Sequence, residues 1–76
     1  MKAKGRYRLI VRRGSPAHTL EVVDIDDGEV ALFWDLLPRD ARRVEEMLRA
    51  ELETMDAREF FERWAAFAGD EDLRHA

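Results

Sequence analysis

The hydrophobic period of this chain changes once, at Pro38, and that change limits what it can fold into. Before Pro38, apolar residues recur at every second position in short runs. After it, they recur at every third or fourth. A period of two lines one face of a strand, and a period near 3.6 lines one stripe of a helix. The sequence therefore predicts an α+β domain in which strands come first and helices follow.

The first strand is expected over about 5–13. Tyr7, Leu9 and Val11 alternate with Arg6, Arg8, Ile10 and Arg12, and Gly14-Ser15-Pro16 ends the run. A second strand over about 19–26 is rich in β-branched residues, and a third covers about 29–36. Asp27-Gly28 lies between them and predicts a two-residue type I′ hairpin, which needs positive φ at both central residues. That turn pairs Ile25 with Val30, Val23 with Leu32 and Glu21 with Trp34. Val23, Ile25, Val30, Leu32 and Trp34 then face the core, while Leu20, Val22, Asp24, Ala31, Phe33 and Asp35 face away. A slip of one residue would exchange the two faces.

Pro38 suits the first turn of a helix, where its missing N–H costs nothing. Ala41, Val44, Leu48, Leu52 and Met55 form one stripe of a helix over about 38–54. Asp56 and Glu59 resemble a capping box, flanked by Met55 and Phe60 as a hydrophobic staple. A second helix is expected over about 57–68, with Phe60, Phe61 and Trp64 on its stripe and Gly69 as its stop. Residues 70–76 read as a polar tail. The predicted architecture is a three-stranded antiparallel β-meander followed by a C-terminal helical hairpin, β-β-β-α-α, within one domain spanning 1–76.

At 76 residues the chain is near the lower limit for independent folding. It has no cysteine and two histidines, His18 and His75, so neither disulfides nor a structural zinc site is expected to staple it. A homodimer is the remaining source of added stability. The longest apolar run, 30–34, is too short for a membrane span, and no signal peptide or anchor is read, so the expected location is the cytoplasm. Eleven arginines against two lysines fit the GC-rich coding of a bacterial-like genome, the absence of Asn, Gln and Cys is a thermophile tendency, and neither reading bears on function.

Catalytic groups are scarce. Ser15 is the single serine, and a dyad with His18 lacks an identifiable oxyanion site. Asp24, Asp26, Asp27 and Glu29 cluster at the hairpin, but their spacing is not that of a calcium loop and Asp-Asp-Gly is first a turn former. No catalytic, cofactor-binding or metal-ligating residue is assigned, and no small-molecule substrate is inferred.

The charge distribution is uneven. Lys2, Lys4, Arg6, Arg8, Arg12 and Arg13 precede the first acid, Glu21, although the whole chain carries −4. Glu21, Asp24 and Asp35 are the expected cross-strand partners for these arginines. The outer sheet face is expected to hold an apolar centre of Ile10, Leu20, Val22 and Phe33 with a rim of Arg6, Arg8 and Arg12. An apolar centre inside a charged, arginine-rich rim is how protein interfaces are built. The sequence thus predicts a non-enzymatic interaction module, accessory or regulatory, with a protein partner or a second copy of itself. The alternative is a nucleic-acid-binding module using the basic N-terminal strand, in which Phe33 stacks a base.

Overall fold

The structure, a computed structural model, describes the backbone of residues 1–75 and the side chains of residues 1–67. After a 3-10 turn at Ala3–Gly5 come β1 (Tyr7–Arg12), β2 (His18–Asp24) and β3 (Val30–Leu36), then α1 (Pro38–Thr54) and α2 (Ala57–His75). The strands form one antiparallel sheet in the order β1-β2-β3, and the helices follow as the sequence predicts.

The core lies between one sheet face and the helices. Leu20 and Val22 from β2, Leu32 and Trp34 from β3, Leu48 and Leu52 from α1, and Phe60 and Trp64 from α2 are all buried in it. Tyr7, Leu9 and Val11 of β1 pack against its edge, as their alternation requires. The α1 stripe behaves likewise, with Ala41, Leu48 and Leu52 buried and Val44 and Met55 half-buried. The first residues of the chain contribute more than the sequence suggests. Ala3 is fully buried, its N–H donates to Met55 O at 2.9 Å, and Ala57 N–H donates to Met1 O at 2.8 Å. The N-terminal segment therefore ties β1 to the turn between the helices.

The hairpin differs from expectation, and the difference moves half of the predicted face. Leu20 pairs with Trp34 and Val22 with Leu32, then Val23 pairs with Val30, so Ala31 is an extra residue on β3. This is a bulge in the ladder. The turn is longer than two residues because its acids bond to its own amides. Asp24 Oδ1 accepts from Asp26 N–H at 2.9 Å, and Asp27 Oδ1 accepts from Glu29 N–H at 2.9 Å. Gly28 N–H closes the loop on Asp24 O at 2.8 Å. Among the described residues Gly28 has the one positive φ, +75°, whereas a type I′ turn would need Asp27 there too. The new register turns Leu20 and Val22 inward and Val23 outward.

The second helix also departs from expectation at its far end. It continues through Gly69 to His75, since an isolated glycine costs a helix only about 1 kcal/mol relative to alanine and no proline follows. Ala76 of the predicted tail lies outside the described residues. At the start of α2, Asp56 Oδ2 accepts from Arg58 N–H at 3.0 Å, which caps the first turn.

Candidate interaction surface

The pairing of the strands places side chains of the outer sheet face in three rows. Arg12, Thr19 and Asp35 form one row, Ile10, Glu21 and Phe33 the next, and Arg8, Val23 and Val30 the third. The helices pack on the opposite face, so this one meets solvent. Phe33 and Val30 are each 50% exposed, and Ile25 beyond them is 44% exposed. Arg8, Ile10, Val23 and Ile25 line a shallow hollow of about 150 Å³ at the hairpin end of the face.

Of the expected interface centre, Ile10 and Phe33 are on this face, in one row. Leu20 and Val22 are not: each is fully buried beneath the helices. The bulge and the longer turn set the register that reverses them. Val23, Val30 and Ile25, expected in the core, take their place outside. The signal available in the sequence was the pair of turn acids, Asp24 and Asp27, each two residues before an amide it can cap.

The rim is also altered, because four of the six early cations lie within ion-pair distance of an acid of the same chain. Arg6 lies just before β1 and grips Asp24 with two nitrogens, Nε at 3.1 Å and Nη2 at 3.0 Å, and approaches Asp26 at 3.6 Å. This fork holds the Asp24 carboxyl below the usual carboxylate range, helped by the Asp26 amide, and raises the Arg6 guanidinium in turn. Lys4 bonds Glu53 at 2.9 Å, and Glu53 is likewise lowered. Arg12 reaches Glu21 at 3.7 Å and Arg13 reaches Glu45 at 3.7 Å. Of the six early basic side chains, Lys2 and Arg8 make no ion pair among the described residues. Arg6 therefore serves as a brace between β1 and the hairpin, and Arg8 and Arg12 remain as the positive rim. Glu21 and Asp35 add negative charge to the same face, so it is mixed rather than basic.

A second concavity lies between the helices. It is an open groove of about 570 Å³ lined by Leu36, Val44, Met47, Trp64 and Phe67, with Asp40, Arg43 and Arg63 around them. Glu51 Oε1 accepts from both Arg63 Nε at 2.9 Å and Trp64 Nε1 at 2.8 Å, which locks that wall. Behind it Trp34 meets Trp64 edge-on at 5.6 Å, and Trp34 Nε1 is buried with no hydrogen-bond partner among the described residues. Phe67 is 39% exposed at the groove, and Phe61 is stacked on Tyr7 at 6.1 Å.

Neither arrangement brings catalytic groups together. Ser15 sits in an exposed loop and His18 begins β2 opposite Leu36. Asp24 and Asp26 are engaged by Arg6, Asp24 and Asp27 accept from turn amides, and no group of three or more His, Asp or Glu among the described residues is placed to hold a metal ion. No described helix is long and apolar enough to cross a membrane. No family model, curated protein or solved structure matches the chain.

Proposed function

We propose that this chain is a small non-enzymatic protein-interaction module, accessory or regulatory in role and working in the cytoplasm, and that its contact surface is the outer sheet face. The observation that carries this reading is the exposure of Phe33 and Val30, half open to solvent on the sheet face opposite the helices. Ile10 and Val23 continue the apolar centre, while Arg8, Arg12, Glu21 and Asp35 surround it. A strand that faces water usually alternates apolar-in with polar-out. Phe33, Val30 and Ile10 break that rule on the open side, and a contact surface is the physical reason to keep them there.

The nucleic-acid alternative loses its main support. Of the six basic residues at positions 2–13, four lie within ion-pair distance of an acid among the described residues, and the net charge of −4 opposes approach to a polyanion.

The test is affinity capture from nuclease-treated lysate with the wild-type chain and with Phe33→Glu as bait. Phe33 is exposed, so the variant is expected to keep its circular dichroism spectrum and its midpoint of unfolding. Proteins retained by wild type and lost by Phe33→Glu are the predicted result. Partners that depend on nucleic acid, or that bind both baits equally, would contradict the reading.

A further inference from the structure

We infer that the occupant of the outer sheet face is a second copy of this chain, packed face to face about a two-fold axis parallel to β2. The inference rests on the proposed interaction role of that face and adds the identity of the partner. Its ground is the way charge and apolar surface are arranged across the three rows.

The central strand is β2, with β1 on one side and β3 on the other. A two-fold axis lying between two such sheets, parallel to β2, exchanges the sides but keeps positions along the strands. Each β1 then lies over β3 of the second copy, and each row meets its own counterpart. In the first row Arg12 comes over Asp35 of the second copy. In the middle row Ile10 comes over Phe33. In the third Arg8 comes over Val30. Every contact made once is made twice, as a two-fold interface requires. An axis across the strands would instead stack β1 on β1 and bring Arg8 over Arg12. Like charges facing each other disfavour that arrangement, so the charges select the first.

The four charges of the face, Arg8, Arg12, Glu21 and Asp35, sum to zero on each copy, so association gathers no net charge there. Glu21 lies near the axis, where it would meet its own counterpart. Arg12 is already 3.7 Å from Glu21 and would join it to Asp35 of the second copy. Two sheets packed this way belong to the aligned class of β-sandwiches, whose mean strand directions lie within about 30° of each other.

The face is small. Three strands spaced about 4.8 Å apart, with six residues rising about 3.3 Å each, give a footprint on the order of 300 Å². Stable complexes cover about 800 Å² on each partner. The dimer is accordingly weak and is populated only in concentrated solution.

Sedimentation equilibrium from about 10 µM to about 2 mM tests this with four proteins: wild type, Arg12→Asp, Asp35→Arg and the double variant. Both side chains are exposed, and circular dichroism verifies that each variant is folded. Wild type is expected to move from monomer toward dimer across the range. Each single change should weaken association about tenfold or more, and the double variant should return to within about threefold of wild type. A wild type that stays monomeric throughout overturns the inference, and so does a double variant no better than the singles. A monomeric wild type whose capture of other proteins is still lost in Phe33→Glu removes the second copy and leaves the interaction role standing. Monomer together with capture indifferent to Phe33 removes both.

Discussion

Val22 and Val23 are neighbours in sequence on opposite faces of β2, and replacing each in turn by threonine separates the observed register from the expected one. Threonine has nearly the shape of valine and an equal liking for strands, so the substitution changes one methyl to a hydroxyl and little else. Val22 is fully buried among Leu20, Leu32 and the helices, where a hydroxyl finds no water. An unsatisfied buried hydroxyl costs about 1–3 kcal/mol. Val23 lies on the solvent face, and Val23→Thr is expected to stay within about 0.5 kcal/mol of wild type. A domain of this size holds about 4–11 kcal/mol in all, so the Val22 change consumes a large share. In urea, with a slope of about 1 kcal/mol/M, the Val22→Thr midpoint should fall by about 1–3 M and that of Val23→Thr should hardly move. Equal losses, or a greater loss at Val23, would refute the register and with it the membership of the outer face.

Two further perturbations probe the hairpin that sets this register. Asp24 is held below its unfolded pKa by Arg6, so its contribution is full above about pH 4 and is lost as pH falls through the lowered folded value; Glu53 and Asp56 act in the same direction. Asp24→Asn should therefore flatten the acid limb of the stability–pH curve below about pH 4, and an unchanged limb would show that the Arg6 fork is not holding the carboxylate. Gly28 has open space around a Cβ but a φ of +75°, so Gly28→Ala should cost about 1–2 kcal/mol from backbone conformation alone, and Gly28→Asn less. Equal stability of all three proteins would mean the loop does not use the left-handed conformation.

The element order was legible because it depends on local signals. Pro38 and the stripe Ala41, Leu48 and Leu52 locate α1, and Tyr7, Leu9 and Val11 orient β1, without any knowledge of the rest of the chain. The faces of β2 were not legible, because both of its faces carry apolar residues and only the turn decides between them. Asp27-Gly28 resembles a type I′ signal, but hydrogen bonds that Asp24 and Asp27 accept from nearby amides stabilise a longer loop. That single choice sends Leu20 and Val22 inward while leaving Ile10 and Phe33 outside. The ion pairs were partly legible. Arg6 with Asp24 and Arg12 with Glu21 use carboxylates anticipated for this role, whereas Lys4 with Glu53 and Arg13 with Glu45 join segments far apart in sequence. The burial of Ala3 depends on the helix–helix turn above it, which no local pattern announces.

The most direct measurement of the central claim is a residue-resolved one: two-dimensional amide NMR spectra of the ¹⁵N-labelled chain, recorded from dilute to concentrated solution and with any captured partner. Shifts that grow at Arg8, Ile10, Val23, Phe33 and Asp35, with Met47, Trp64 and Phe67 unmoved, are the predicted result. Changes confined to the groove between α1 and α2, with the sheet rows silent, would contradict the account and move the working surface to the other side of the molecule.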